Sequence, residues 1–163
     1  MMNQKALVVI DIQNDITKHY HDIVAHINDA IDWATNEQIH IVYIKHNNTT
    51  SNTRTFKPGT HGEELAPELN VVSDHVFVKT KSNALTSEAF ASFIGAKGIN
   101  EFYVTGADAT ACVKSTCLNM RKAGYKVHVL CDCVTSYDPK KLPTMFAYYE
   151  KQGCELDFLQ QRA

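Results

Sequence analysis

Proline and glycine are scarce in this chain, four and seven of 163 residues, and neither gathers into a run with serine. That excludes a flexible linker or low-complexity segment, so residues 1–163 are expected to fold as one domain around one sizeable core. Excess charge of one sign is missing as well. Sixteen Lys and Arg stand against 18 Asp and Glu, a net charge of −2 with the signs interspersed. Without a basic face there is no electrostatic footprint for nucleic acid, and without a polybasic or amphipathic segment none for a membrane surface. The longest apolar runs are strand-sized, well short of the roughly 20 residues that span a bilayer. The five Cys residues are odd in number and lack the spacing of a disulfide framework, and MMNQK leads directly into ALVVI with no room for a signal peptide. Both features imply a reducing, cytoplasmic location.

What is present is an alternation. Residues 5–10, 39–44, 76–78 (with Lys79 at the end), 102–104, 125–130 and 154–159 are β-branched, aromatic or apolar runs that read as six strands. Helical spacing fills the intervals. It runs over 23–36 through Ile23, Ile27, Ala30, Ile31 and Ala34, and over 87–97 through Ala89, Phe90, Phe93 and Ile94, with Thr86 or Ser87 as cap and Gly98 as stop. It resumes from Cys112 through Val113, Thr116, Cys117, Met120 and Ala123 to Gly124, and again over 144–152. Near-continuous apolar strands alternating with helices predict a doubly wound, Rossmann-like α/β fold, with a mostly parallel six-stranded sheet covered by helices on both faces. Ligands in such sheets bind beyond the carboxyl ends of the strands. Three chemically able side chains lie there: Asp11 after the first strand, Lys79 at the end of the third, and Cys112 after the fourth.

Cys112 stands out among the cysteines because a strand, Gly106 and a helix start approach it. Unpaired N–H groups and the positive end of the helix dipole favour an anion at a helix's first turn, so Cys112 is expected to be the most acidic of the five thiols and a nucleophile. The other four read as structural. Cys117 is on the helix body, Cys154 precedes the last strand, and Cys131 and Cys133, at the end of an apolar strand, are not expected to form a chelating pair.

The motifs LVVIDIQND (7–15), PGTHGEELAPEL (58–69), VFVKTKSNA (76–84), VTGADATACV (104–113) and AGYKVHVLCDCVTS (123–136) occur in an order and spacing that resemble the isochorismatase-like cysteine hydrolases. That superfamily includes nicotinamidases, N-carbamoylsarcosine amidohydrolase and ureidoacrylate hydrolases. The resemblance covers most of the chain. It implies the isochorismatase-like hydrolase fold and a catalytic triad of Asp11, Lys79 and Cys112. It also implies a cis peptide between Ala107 and Asp108, and an oxyanion hole formed by the N–H groups of Asp108 and Cys112. The activity implied is cleavage of a C–N bond in a small amide, ureide or related carbonyl compound through a thioester. Two other readings on this fold remain open: hydrolysis of a non-amide substrate, as by isochorismatase itself, and a catalytically silent binding or assembly protein.

Departures from the family pattern shape the remaining expectations. Nicotinamidases that bind a divalent metal use an Asp-x-His after the second strand, where this chain has KHNNTT, so His46 lacks a carboxylate partner and neither a metal nor another cofactor is expected. Ile16 and Leu85 replace aromatic residues, which predicts a less aromatic pocket. Candidate substrate contacts are Gln13, Ile16, Tyr20, His46, Asn83 and Leu85, and the short loops leave Tyr20, Phe56 and His61 to wall the site. A small molecule is the expected partner. Relatives form dimers, tetramers or rings, which implies a homo-oligomer.

Overall fold

The computed structural model describes residues 4–50 and 52–161. Six strands, β1 (Lys5–Ile10), β2 (His40–His46), β3 (Val76–Lys79), β4 (Glu101–Gly106), β5 (Lys126–Val134) and β6 (Glu155–Asp157), form one sheet in the order β3-β2-β1-β4-β5-β6. Every pairing is parallel. The helices are α1 (Asn14–Thr17), α2 (Ile23–Asn36), α3 (Glu88–Lys97), α4 (Cys112–Lys122) and α5 (Leu142–Lys151). Among the described residues no helix is long and apolar enough to cross a membrane.

Strand periodicity of two divides the core into two layers. Ala6, Val8 and Ile10 of β1 join Val42 and Ile44 of β2 and Phe102 and Val104 of β4 on the face covered by α3, α4 and α5. Leu7, Val9, Ile41, Tyr43 and Tyr103 point the other way, against Ile23, Ile27, Ile31 and Ala34 of α2. Each such side chain contributes about 1.5–3 kcal/mol by leaving water, and truncating fully buried Phe102 to Ala should cost about 3–5 kcal/mol. Cys131 and Cys133 fall in opposite layers although residues two apart on a regular strand share a face, because the pairing of β5 with β4 is irregular between Val129 and Val134.

Several boundaries differ from the sequence reading. Strand β5 continues to Val134, past the expected end at residue 130, because Gly106 of β4 still pairs with Val134 across a register irregularity. The last strand shortens to three residues. Helix α5 begins at Leu142, with Pro143 in its first turn, where a missing N–H costs nothing. Ser87 caps α3, its hydroxyl accepting from Phe90 N–H at 3.3 Å, and Gly98 closes that helix at φ 64°.

The centre of the sheet is tightest where β1 and β4 end. Gly106 has φ 122°, and a Cβ there would lie 2.2 Å from the Ile10 carbonyl oxygen. Only glycine fits both demands. The backbones leaving β1 and β4 are thereby brought together at the sheet's carboxyl edge.

Candidate active site

Three connections converge at that edge. Asp11 leaves β1 in the left-handed region (φ 58°), with its N–H donating to the Ile44 carbonyl of β2 at 3.0 Å. Lys79 closes β3 and is the register partner of His46, which closes β2. Cys112 is the first residue of α4. The sequence thus delivers a carboxylate, an ammonium, an imidazole and a thiol to one place.

Lys79 is the hub. Its Nζ lies 3.1 Å from Asp11 Oδ2, 2.7 Å from His46 Nδ1 and 3.3 Å from Cys112 Sγ. The Lys79 and Asp11 side chains are 0% and 1% exposed. A buried ammonium persists only when its charge and N–H groups are matched, and here three acceptors meet three donors. An ammonium cannot accept, so Nδ1 of His46 carries the lone pair and the ring is the neutral Nε2–H tautomer.

Burial decides the proton affinities. It raises the Asp11 carboxyl above its usual range, against the attraction of Lys79 and contact with the Cys112 thiol. It pushes the Cys112 thiol up to about 12, aided by the negative charge of Asp11 and opposed by Lys79. Burial and then Lys79 push His46 down to about 4. The resting thiol is therefore protonated. The expectation that Cys112 is the most acidic of the five is overturned, because desolvation and the Asp11 carboxylate outweigh the helix terminus and Lys79. Cys154 alone has its thiol lowered, through a hydrogen bond from Cys117.

The turn before Cys112 contains the cis Ala107–Asp108 peptide. Its N–H groups are mostly engaged: Ala107 with the Ile10 carbonyl, Ala109 with Thr135, Ala111 and Val113 with Asp108, and Thr110 with the Asp108 carboxylate. Asp108 and Cys112 N–H take no backbone acceptor among the described residues. The Asp108 carboxylate also accepts from Thr110 Oγ1 at 2.8 Å and Tyr137 N–H at 2.9 Å. These bonds hold it below its usual range although burial acts in the opposite sense. Tyr149 donates its hydroxyl to the Ala109 carbonyl, tying the turn to α5.

The remaining sequence candidates separate. His46 joins Asp11, Lys79 and Cys112. Tyr20 faces it: its hydroxyl is buried without a hydrogen-bond partner among the described residues, and Asp108, Tyr137, Asp11 and Cys112 all raise its pKa after burial does. The other four are occupied. Gln13 is fully buried, donating Nε2 to the His46 carbonyl (2.9 Å) and the Glu63 carbonyl (2.7 Å) and accepting from His46 N–H (2.9 Å). Ile16 packs in the α2 layer, Asn83 accepts from Leu85 N–H at 2.9 Å, and Leu85 packs on the opposite layer. Phe56 lies with its ring 5.8 Å from that of His46, whereas the His61 side chain is 83% exposed beside Glu64. Tyr137 escaped the sequence reading, and so did the place of His19 beside it. They form an aromatic group with Tyr20, at 5.3 Å from Tyr20 to Tyr137 and 4.9 Å from Tyr137 to His19. Aromatic surface near the site is thus supplied by loops, in place of Ile16 and Leu85; the only available signal was that SYD follows a strand end.

Ligating atoms of Asp11, His46 and Cys112 lie within 4.8 Å of one another. They do not suit a divalent ion, because one bound to all three would press against the Lys79 ammonium, which already contacts each of them.

The Isochorismatase domain family matches residues 5–156. A probable inactive nicotinamidase of Arabidopsis thaliana is 24% identical over 161 residues, covering 83% of this chain and 82% of that protein. Among solved structures, an isochorismatase family protein from Desulfovibrio vulgaris superposes with a TM-score of 0.88 at 19% identity, covering 96% and 95% of the two chains. N-carbamoylsarcosine amidase from Thermoplasma acidophilum does so with a TM-score of 0.83 at 21% identity, covering 98% and 97%.

Proposed function

The chain belongs to the isochorismatase family, and on that footing we propose that it is a cysteine hydrolase cleaving the C–N bond of a small amide, ureide or related carbonyl compound. The observation that carries this reading is the single ammonium of Lys79 touching both Asp11 and Cys112 while Asp11 Oδ1 is buried without a hydrogen-bond partner among the described residues. A satisfied structural ion pair leaves no such atom open.

In this mechanism Asp11 takes the Cys112 proton as the sulfur attacks the carbonyl carbon. With its pKa pushed up to about 12, the thiol gives up its proton as the sulfur bonds to the carbonyl carbon. The carbonyl oxygen gains charge and is held by the N–H groups of Asp108 and Cys112, donors worth about 3–4 kcal/mol each in comparable sites. The C–N bond breaks as Asp11 returns the proton to the leaving nitrogen. Asp11 then deprotonates water, which attacks the thioester and releases the acid and the thiol. Lys79 keeps its charge throughout, orienting Asp11 and stabilising the thiolate. The free hydroxyl of Tyr20 supports a role as a substrate hydrogen-bonding group.

Ammonia release across a panel of small amides and ureides tests the proposal. Turnover abolished by Cys112→Ala supports it. Turnover that survives Cys112→Ala would move the assignment to non-amide hydrolysis. A second reading, a silent binding protein, is favoured by the inactive relative, and an intact fold with no turnover over the panel would establish it.

A further inference from the structure

We infer that His46 is a positioning residue for the nucleophile, its neutral ring holding one N–H of Lys79 so that the other two are aimed at Asp11 and Cys112. The inference takes its significance from the proposed cysteine chemistry, and its content from the geometry alone.

A lysine ammonium sits on a flexible four-carbon stem and turns freely unless all three donors are engaged. Here the acceptors come from three separate elements: Asp11 beyond β1, His46 at the end of β2 and Cys112 at the start of α4. The contact to His46 is the shortest, 2.7 Å against 3.1 and 3.3 Å. Like the protonated Cys112 sulfur, and unlike Asp11, the His46 ring carries no negative charge. Asp11 alone would draw the ammonium to itself and away from sulfur; a third, neutral acceptor fixes the direction of the remaining bonds without competing for charge. Burial and Lys79 keep the ring unprotonated above about pH 4. Lys79 is the charged group that faces His46, while Asp11 and Cys112 face Lys79 and Tyr20 lies beside both.

His46 is itself held from two sides. Its backbone N–H and carbonyl are both bound by the Gln13 side chain, whose Nε2 also reaches the Glu63 carbonyl. Its ring lies against Phe56, whose own N–H donates to Asp15 Oδ2 at 2.7 Å. Glu63 and Phe56 both belong to the long β2–β3 loop (residues 47–75). The loop is therefore tied to His46 through its main chain and its ring.

The test uses the whole chain and needs no substrate. Two-bond ¹H–¹⁵N NMR of histidine-labelled protein at pH 7 should show His46 protonated on Nε2 only. Iodoacetamide labelling of Cys112, mapped by mass spectrometry over pH 7–10, then compares parent, His46→Asn and His46→Leu. Asn places an acceptor oxygen the same number of bonds from Cα as Nδ1, so it should stay within about threefold of the parent. Leu removes the acceptor and should slow labelling about tenfold, equal to a rise of roughly one unit in the thiol's pKa. A His46 ring protonated on Nδ1 overturns the inference, and so does a Leu variant with the parent's rate and pH profile. Should the Leu variant not fold, the tautomer and the Asn variant still decide. A parent with the expected profile but no turnover would sink the hydrolase reading and leave the role of His46 standing.

Discussion

Two buried charge clusters sit at opposite ends of the sheet, built on different plans. At the carboxyl end a cation, Lys79, is surrounded by Asp11, His46 and Cys112. At the amino end His128 of β5 is stacked on Tyr103 (4.3 Å, 7°) and surrounded by carboxylates. Its Nε2 lies 2.6 Å from Glu101 Oε2, and its Nδ1 lies 2.6 Å from Asp157 Oδ2 and 3.2 Å from Glu155 Oε2. Each end groups three ligating atoms closely enough to suggest a metal. The difference is completion. Both nitrogens of His128 are matched, and its carboxylates reach solvent at 17%, 23% and 56% exposure. The other end leaves Asp11 Oδ1 and the Tyr20 hydroxyl buried and without a hydrogen-bond partner among the described residues. Buried charge marks either architecture or chemistry, and an unfinished hydrogen-bond inventory separates them.

The comparison is broken most directly by activity. Asp11→Asn and Cys112→Ala should each lower turnover by about 10³–10⁴ or more, with the double variant little worse than either, since such residues act as a unit. Lys79→Met should lose more than Lys79→Arg, which keeps the charge on a broader, planar group. Steady-state rates on the best substrate of the panel check this. A His128 variant that lost turnover to the same extent would erase the distinction between the two ends.

His128→Ala is expected to act on stability instead. It strips Glu101 and Asp157 of a buried partner, and urea unfolding should register a loss of about 2–4 kcal/mol with Cys112 alkylation unchanged.

A smaller effect comes from pH. His46 binds its proton more weakly in the fold, at about 4, than in the unfolded chain, near 6.5. The unfolded chain therefore takes up the proton first, and the His46 contribution to stability is present above about pH 6.5 and lost as pH falls towards 4. The raised Asp11 works in the opposite direction but is common to parent and variant. His46→Asn should flatten the difference between midpoints at pH 7 and 4.5, whereas parallel curves for parent and variant would refute it. The smallest expected effect is that of EDTA. With Lys79 in contact with Asp11, His46 and Cys112 alike, turnover should be unchanged by a chelator, and loss restored by zinc would show that the ammonium yields its place.

The meeting of Asp11, Lys79 and Cys112 was legible because three strand ends carried chemistry that alternation alone did not require, and the six strands followed from apolar runs of strand length. The proton affinity of Cys112 was not legible. It depends on how far Asp11 and the surrounding backbone bury the sulfur, quantities set by tertiary packing. Gln13 illustrates the same limit: beside Asp11 in sequence it reads as a substrate contact, yet its amide closes on His46 and Glu63 from distant segments. Tyr20 was named for its place in a short loop. Tyr137 was missed because nothing local distinguishes an aromatic after a strand from any exposed tyrosine.

Lys79 arrives on an edge strand. Strand β3 has four residues and a single neighbour, β2, so one side of its ladder is open. Edges open more readily than sheet centres, and hydrogen exchange reports such openings. Each time β3 lifts, the site loses its cation while Asp11, just beyond central strand β1, and Cys112, at the start of α4, stay in place. The working lifetime of the assembled site is then set by the residence time of a four-residue strand. Amides of residues 76–79 should exchange faster than those of β1 and β4, and a ligand that bridges Lys79 to the centre should slow them.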